Sequence, residues 1–327
     1  MFDPDGPADS SRLYGLDHTF DEATVVIVPV PFDATASSRR GTMAAPEAIR
    51  YASAQVDLHD LEFGDVWRAG IALEPLDERV QRWNVEAREA VDRVRIDGSN
   101  ADRQRANAIG DDVERYVHDQ TARILDAGKI PAILGGDHSV PLGAVRAAVA
   151  RHPGLGVLHV DAHADMRDHY EGFTHSHASI FYNLVTGDPR PATVVQVGIR
   201  DVGPQEWVRV RETAGLRAWS DPEIGRALVN GQTWGALVEE ILAPLPAEVW
   251  LSVDIDGLQP NLCPNTGTPV PGGLDWTQVT HLVRRVAESG RRVVGFDLVE
   301  VGPDEWDANV GARLLYKLCG AAVKSRS

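Results

Sequence analysis

The sequence predicts an α/β fold with three layers, in which helices cover both faces of a mainly parallel β-sheet. Strand-like apolar runs alternate with segments of helical spacing along most of the 327 residues. The runs are nearly continuous, as in Ala23 to Val30, which is typical of parallel strands buried on both faces. No linker, repeat or low-complexity stretch divides the series. One α/β/α sandwich follows from these observations.

Six apolar runs rich in β-branched residues predict the strands. In chain order they cover residues 23–30, 130–134, 155–160, 193–198, 249–253 and 293–296. Residues 1–22 are instead polar and rich in Asp, Pro and Gly, so we expect an N-terminal extension there. We expect residues 23–327 to form a single domain.

Apolar residues spaced three or four positions apart predict the helices between these strands. Pro46 opens the first helix, and Gly128 ends the third. Ser139 is expected to cap a helix that has Pro141 in its first turn and ends at Ala150. Apart from this helix after Ser139, the predicted helices cover residues 47–53, 80–98, 111–127, 177–185, 233–243, 276–288 and 305–323.

Composition and charge argue against several classes of partner and location. The formal net charge of −16 disfavours nucleic acid and anionic membranes, and it is compatible with small cationic substrates. Cys263 and Cys319 form no metal-binding pattern and are too few for a secreted disulfide framework. The N-terminus lacks a signal-peptide pattern, and no apolar run reaches the roughly 18 residues of a membrane span. We therefore expect a cytoplasmic protein.

Potential metal ligands follow three of the predicted strands, where each strand gives way to its loop. One set follows strand 155–160, another follows strand 130–134, and the third closes strand 249–253. The side chains are, in that order, Asp161, His163 and Asp165; His138; and Asp254 and Asp256. Because parallel strands bring their carboxyl ends to one edge of a sheet, we expect the three sets to meet there.

Four carboxylates and two imidazoles favour hard or borderline cations such as Mn²⁺ over a Cys-ligated structural Zn²⁺. The carboxylates would balance the charge of two divalent cations. Two such ions roughly 3.5–4 Å apart can lower the pKa of a bound water from about 15.7 toward 7. A single Asp after a strand is commonly a turn former, but the three sets together predict a two-metal site.

Five stretches that contain or follow these ligands carry a family resemblance. They are Gly135-Gly136-Asp137-His138-Ser139, Asp161-Ala162-His163-Ala164-Asp165, Ser252-Val253-Asp254-Ile255-Asp256-Gly257-Leu258-Gln259-Pro260, Gly267-Thr268-Pro269-Val270-Pro271-Gly272-Gly273 and Gly295-Phe296-Asp297-Leu298-Val299-Glu300. They are similar to the motifs of the ureohydrolase family, which includes arginase, agmatinase, guanidinobutyrase and formimidoylglutamase. The resemblance implies an arginase/deacetylase-like sandwich with a sheet of about eight strands, assembled as a homo-oligomer, a trimer or hexamer.

The resemblance also implies two Mn²⁺ ions per subunit, with Ni²⁺ or Fe²⁺ as alternatives. The implied ligands are His138, Asp161, Asp165 and Asp254 for one ion, and Asp161, His163, Asp254 and Asp256 for the other. In the family mechanism, metal-bridging hydroxide attacks the guanidinium carbon, and urea and an amine are released. The domain 23–327 would then be a ureohydrolase catalytic domain.

Three residues match catalytic residues of the family. Asp165 is implied to bond the hydroxide and pass its proton on, and Glu300 to pair with the planar guanidinium. His177 aligns best with the family's proton-shuttling histidine. An imidazole titrating near pH 6.5 suits that task. His175 is the competing candidate. His159 lies within a predicted strand and is expected to be structural.

Substrate-binding residues are expected in the loop 166–176 and near Thr268. Arg167 could pair with a carboxylate, which would favour a guanidino acid. Asp168 or Glu171 could instead receive the amine of agmatine. The charged residues are equally ordinary as surface charges, so the loop leaves both alternatives open.

Gly203 stands where arginase has an aspartate for the substrate's α-amino group, which argues against free arginine. Agmatine is the default substrate, followed by a guanidino acid such as 4-guanidinobutyrate, and then by arginine or formimidoylglutamate. The sequence lacks the Gly-Asn-His cluster of a calcineurin-like phosphoesterase, and the complete Asp254 and Asp256 pair favours two metals over the single zinc of a deacetylase. A metal-binding but catalytically silent member would be expected to have lost ligands or Glu300.

Overall fold

The computed structural model describes residues 3–326, and one eight-stranded sheet forms its centre. The strands are β1 (Val25–Val30), β2 (Ile71–Leu73), β3 (Ile130–Gly135), β4 (Gly156–Val160), β5 (Thr193–Ile199), β6 (Leu216–Ser220), β7 (Glu248–Asp254) and β8 (Arg292–Val299). Their order in the sheet is β2-β1-β3-β8-β7-β4-β5-β6, and every neighbouring pair is parallel.

Ten α-helices cover the sheet within the described residues. They are α1 (Ala45–Ala52), α2 (Glu78–Asp97), α3 (Asn100–Asp126), α4 (Leu142–Arg151), α5 (Ile180–Thr186), α6 (Pro204–Glu212), α7 (Asp221–Val229), α8 (Trp234–Leu242), α9 (Trp276–Glu288) and α10 (Glu305–Lys324). No helix among residues 3–326 is long and apolar enough to cross a membrane.

The helices form two layers because successive strand residues face opposite sides of the sheet. Val25 and Ile27 pack in one core with residues of α1, α7, α8, α9 and α10. Val26 and Val28 pack in the other core with residues of α2, α3, α4, α5 and α6. The predicted three-layer α/β/α architecture is confirmed.

The middle of the sheet collects the predicted ligand sets at one edge. Strands β3 and β4 follow each other along the chain but are separated in the sheet by β8 and β7. All four strands are parallel, so their carboxyl ends lie at the same edge. Open parallel sheets bind ligands at this edge.

Several predicted elements differ from those observed. Ser139 does not cap α4, because its hydroxyl donates a hydrogen bond to Asp137 and Pro141 directly precedes the helix. Helix α3 begins at Asn100 rather than 111, since Ser99 caps it by accepting the Asp102 amide hydrogen. Residues 177–179 form a 3₁₀ turn before α5. The short elements β2, β6, α6 and α7 were not predicted.

Part of the segment 3–22 packs firmly against the helices. A 3₁₀ turn, Leu13–Gly15, buries Leu13 and Tyr14. The Tyr14 amide donates to Ser53 Oγ at 2.7 Å, and its hydroxyl donates to Ala312 O at 2.8 Å. This turn therefore belongs to the core that covers one face of the sheet.

Candidate metal centre

The six predicted ligands converge at the carboxyl ends of β3, β4 and β7. Close contact between two loops makes this convergence possible. A Cβ atom on Gly257 would lie 2.6 Å from the Asp161 amide nitrogen, so only glycine lets the loop after β7 approach the loop after β4. Asp254 ends β7, which is the neighbour of β4 in the sheet, and Asp256 follows it in the loop that contacts Asp161.

His138 forms the centre of the first group. Its Nδ1 faces three carboxylate oxygens: Asp161 Oδ2 at 3.0 Å, Asp165 Oδ2 at 3.1 Å and Asp254 Oδ2 at 3.3 Å. On the opposite side of the ring, Nε2 lies 3.1 Å from Ser252 Oγ. The Ser252 hydroxyl donates to Asp297 Oδ1 at 2.9 Å, so it accepts from His138 Nε2. In the neutral ring, Nδ1 would therefore present its lone pair to the carboxylates.

His163 forms the centre of the second group. Its Nδ1 lies 3.2 Å from Asp256 Oδ2 and 3.5 Å from Asp161 Oδ1. Backbone amides hold these carboxylates in place. The His163 amide donates to Asp161 Oδ1 at 2.6 Å, and the Ala162 amide donates to Asp256 Oδ1 at 3.1 Å. Asp161 thus lies between the two groups.

The buried charges destabilise one another. Burial, and then the charges of Asp256 and Asp161, raise the pKa of Asp254 well above its usual range. Burial and the Asp161 charge raise the pKa of Asp165 to about 7. Burial lowers the pKa of His138, but hydrogen bonds to the carboxylates outweigh it and hold that pKa well above its usual range. Without a cation, these side chains therefore retain protons, which supply the positive charge that the buried carboxylates require.

This donor set fits divalent cations. The ligand atoms of His138, Asp161 and Asp165 lie within 4.8 Å of one another, as do those of Asp161, His163 and Asp256. A divalent cation would replace the retained protons and reverse the pKa shifts of the carboxylates. Oxygen and imidazole donors suit Mn²⁺ and similar cations.

A cavity of about 230 Å³ opens directly onto this cluster. Its lining consists of Ser37, His163, Asp165, Arg167, Tyr170, His177, Ala178, Asp201, Glu206 and Thr268. A larger cavity of about 390 Å³, lined in part by Val185 and Arg190, contains none of the predicted ligands. The smaller cavity is therefore the candidate substrate site.

His177 rather than His175 faces the cavity. Its ring nitrogens lie 3.3 Å from Thr35 Oγ1 and 3.4 Å from Ser37 Oγ. Burial, together with the charges of His163 and Arg95, lowers the pKa of His177 to about 3. The ring is therefore neutral near pH 7, in contrast to the imidazole titrating near pH 6.5 that the sequence suggested.

The four predicted substrate residues separate into two pairs. Arg167 and Thr268 line the cavity, whereas Asp168 and Glu171 are absent from its lining. Asp168 lies 3.4 Å from Arg209 Nη2, and Glu171 lies 2.7 Å from Arg95 Nη2. Both carboxylates are therefore held in ion pairs outside the cavity lining. The expectation that either receives the substrate's amine stays a prediction.

The loop 166–176 is docked onto α3 through His175. Its Nε2 lies 2.8 Å from Glu114 Oε2, and the Thr174 amide donates to Asn107 Oδ1 at 3.0 Å. Gly110 of α3 makes room for this contact, since a Cβ there would lie 2.6 Å from the His175 Cβ. The loop that carries Arg167 and Tyr170 is therefore positioned by a helix far from it in sequence.

Glu300 lies directly after β8, close to the carboxylate cluster. Its Oε1 accepts the His138 amide hydrogen at 3.1 Å, while no residue among 3–326 donates a hydrogen bond to Oε2. Burial, and then the charges of Asp254, Asp137 and Asp256, raise the pKa of Glu300 well above its usual range. Its φ of 61° lies in the left-handed region, which non-glycine residues rarely occupy outside special sites.

Comparison with known proteins assigns the chain to a family. The profile described as "Arginase family" matches residues 23–322. The chain belongs to the arginase family. It is therefore a hydrolase of the class that cleaves C–N bonds in linear amidines. Arginase-family enzymes depend on two metal ions, which agrees with the donor set described above.

Curated relatives and solved structures give the same family. An N(1)-aminopropylagmatine ureohydrolase of Thermus thermophilus is 34% identical over 307 residues, covering 93% of this chain and 92% of that protein. The guanidinobutyrase of Pseudomonas aeruginosa is 30% identical over 310 residues, covering 91% and 86%. The crystal structure of agmatine ureohydrolase of Thermoplasma volcanium has a TM-score of 0.72 and 28% identity, covering 94% and 92%.

Several residues of this arginase-family site were not predicted from the sequence. Tyr170 places its ring 5.0 Å from the Arg167 guanidinium carbon, and Glu206 Oε2 lies 3.5 Å from Arg167 Nε. Asp201, at the cavity mouth, follows β5. The available signal for Glu206 was a glutamate three residues after Gly203, because a side chain at that position can accept the amide hydrogen before the helix, as Glu206 Oε2 does from Gly203 at 3.2 Å.

Proposed function

We propose that this chain hydrolyses a linear guanidino compound to urea and an amine, using two divalent cations held by the cluster around Asp161 and Asp254. The observation that supports this most is the convergence of the six predicted ligands beside one cavity, in a chain of the arginase family. The proposed ligands are His138, Asp161, Asp165 and Asp254 for one cation, and Asp161, His163, Asp254 and Asp256 for the other. Mn²⁺ is the proposed metal, with Ni²⁺ and Fe²⁺ as alternatives.

When bound, two divalent cations supply Lewis acidity that lowers the pKa of water from about 15.7 toward 7. Glu300 would hold the guanidinium through its carboxylate, because a planar cation matches a carboxylate in two parallel hydrogen bonds. Asp165, which lines the cavity and lies beside His138, would take a proton from the attacking water and release it. His177 lines the cavity and would pass a proton to the departing amine.

The charges around the cavity favour a substrate with a cationic tail. Arg167 is already engaged by Glu206 and by the Tyr170 ring. Asp201 Oδ2 lies 4.0 Å from His163 Nε2, and 70% of the Asp201 side chain stays exposed, so this carboxylate can receive an ammonium group. Agmatine is therefore the default substrate, and relatives named for agmatine and N1-aminopropylagmatine agree with this choice.

A guanidino acid such as 4-guanidinobutyrate is the second candidate, because Arg167 lines the cavity and could bind a carboxylate. The relative named guanidinobutyrase supports the same alternative. Arginine and formimidoylglutamate rank below both. The trimer or hexamer and the cytoplasmic location expected from the sequence stay predictions.

A substrate panel tests this choice. Mn²⁺-loaded protein would be incubated with agmatine, N1-aminopropylagmatine, 4-guanidinobutyrate, arginine and guanidine, and urea would be measured. Formimidoylglutamate would be followed through formamide. We expect the cationic amines to have the highest kcat/KM and Asp201→Asn to raise their KM. Preferential turnover of 4-guanidinobutyrate would contradict the cationic-tail assignment, and a panel without turnover, repeated with Ni²⁺, would contradict the proposed function.

Gly110→Ala is expected to disturb catalysis from a distance. The new methyl group would force His175 to move, and the loop 166–176 would move with it. Misplacing substrate-positioning groups by about 1 Å can reduce the rate by about 10²-fold, so we expect kcat/KM to fall by about 10- to 100-fold. The measurement is steady-state urea release with the best substrate of the panel.

The matched control is Gly225→Ala in α7, where a Cβ meets no atom within 4 Å. Replacing an exposed helical glycine with alanine stabilises a helix by up to about 1 kcal/mol, so this variant should unfold slightly later and keep full activity. Wild-type kcat/KM in Gly110→Ala would show that the docking of the loop on α3 has no catalytic role.

A further inference from the structure

His159 was expected to be structural, but it contacts the proposed metal centre. It lies on β4 with no exposed surface, two residues before Asp161. The Phe181 ring stacks on it, with ring centroids 3.9 Å apart and planes inclined by 29°. Gln196 of β5 is its partner in the sheet register. Stacking on one side and the sheet on the other fix the position of the imidazole.

A chain of hydrogen bonds determines which nitrogen of His159 carries the proton. The carbonyl oxygen of Ala164 can only accept, and Gln196 Nε2 lies 2.7 Å from it. The same amide nitrogen lies 3.1 Å from His159 Nδ1. An amide NH₂ has two hydrogens, so one can be donated to each acceptor. His159 Nδ1 therefore accepts, and the ring proton lies on Nε2.

This proton is directed at Asp161. His159 Nε2 lies 2.8 Å from Asp161 Oδ2, while Asp161 Oδ1 accepts the His163 amide hydrogen at 2.6 Å. Each oxygen of the carboxylate thus has its own donor, and the rotation of the carboxylate is fixed. Asp161 is the residue that both proposed cations would share, so its orientation matters for both.

We propose that His159 is a positioning residue that donates a hydrogen bond to Asp161 and thereby orients the shared carboxylate for two metal ions. Gln196 determines the tautomer that makes this donation possible. His159 is near enough to be grouped with the metal ligands, but its Nδ1 lone pair is engaged by Gln196 and its Nε2 carries a proton. It therefore acts through Asp161 rather than on a metal. This inference rests on the metal site of the proposed function.

Manganese binding tests the inference independently of any substrate. Chelator-treated wild-type protein, His159→Phe and His159→Gln would be titrated with Mn²⁺ in a calorimeter. His159→Phe keeps a ring but has no donor, whereas the glutamine amide can place an N–H near the position of Nε2. Removing the partner of a metal ligand typically weakens metal binding by about 10- to 100-fold, so we expect that loss in His159→Phe and near wild-type affinity in His159→Gln.

The outcomes separate the possible failures. Wild-type affinity in His159→Phe would overturn the positioning role, and equal losses in both variants would overturn the role of the N–H donor. Thermal unfolding of the chelated proteins shows whether His159 is purely structural. In that case its substitution would lower the unfolding temperature while leaving Mn²⁺ affinity unchanged. A wild-type protein that binds no Mn²⁺ would overturn the proposed metal site itself, and this inference with it.

A second measurement does not depend on whether His159→Phe folds. Histidine would be labelled with ¹⁵N in the chelated wild-type protein, and the His159 signals would be assigned by their loss in His159→Gln. We expect a protonated Nε2 and an unprotonated Nδ1. A proton on Nδ1, alone or together with one on Nε2, would overturn the proposal.

Discussion

Asp254→Asn is expected to abolish urea release and to lower the amount of bound metal. Asp254 Oδ2 lies 3.3 Å from His138 Nδ1, and Asp254 Oδ1 accepts the Asp256 amide hydrogen at 2.8 Å. Asparagine has the same shape and can keep the second contact, so the fold should survive while the shared anionic ligand is lost. We expect turnover to fall at least about a thousandfold, because unactivated water with a pKa of about 15.7 supplies very little hydroxide.

Without metal, Asp254→Asn should instead make the protein more stable than the wild type. The raised pKa of Asp254 means that the folded chain binds a proton more tightly than the unfolded chain. Stability contributed by that proton is therefore lost as pH rises through the raised pKa. The amide carries no charge, so the metal-free variant should unfold at a higher temperature than the metal-free wild type near neutral pH.

Asp168→Asn is the matched control, since Asp168 lies on the loop near the same edge of the sheet but outside the cavity lining. It should keep its bound metal and most of its activity. Full activity in Asp254→Asn would remove the two-metal proposal. A metal-loaded Asp254→Asn protein that remains inactive would instead separate metal binding from catalysis.

Glu300→Gln is expected to reduce kcat/KM by about 100-fold or more while leaving Mn²⁺ affinity near the wild-type value. The amide can keep the Oε1 contact with the His138 amide, and two backbone contacts hold the position. The Glu300 amide donates to Gly136 O at 2.8 Å, and Thr266 Oγ1 donates to Glu300 O at 2.7 Å. Only the charge and one acceptor would be lost.

The expected size follows from the donors that a guanidinium presents. Each hydrogen bond to a charged group contributes roughly 1.5–3 kcal/mol, and the glutamine NH₂ would oppose a guanidinium N–H with another donor. Steady-state kinetics and calorimetry on the same preparation distinguish this variant from Asp254→Asn, which should lose metal. Unchanged kcat/KM would rule out Glu300 as the guanidinium partner.

The core of the fold could be predicted because its central strands are buried on both faces and appear as continuous apolar runs. The edge strands could not. In β6, only Leu216 is buried, and β2 has three residues, Ile71–Leu73. Helices α6 and α7 are short, although Pro204 and Pro222 in their first turns gave a usable signal.

The cluster of carboxylates and imidazoles was predictable for a similar reason, since each set of candidate ligands lies at the end of a strand and parallel strands share an edge. Contacts that depend on distant partners were not. Glu171 is engaged by Arg95 of α2, and His175 by Glu114 of α3, and neither pairing has a local sequence signal. The role proposed for His159 depends on the register that places Gln196 beside it, and this register cannot be read from the two strand patterns.

The most direct test of the account is a manganese titration of chelator-treated protein, with bound metal and urea release from agmatine measured at each step. We predict no activity without metal, binding of two Mn²⁺ ions per chain, and activity that reaches its maximum only when both have bound. Full activity in the stripped protein, or saturation of activity by a single ion per chain, would contradict the two-metal site on which the proposed function rests.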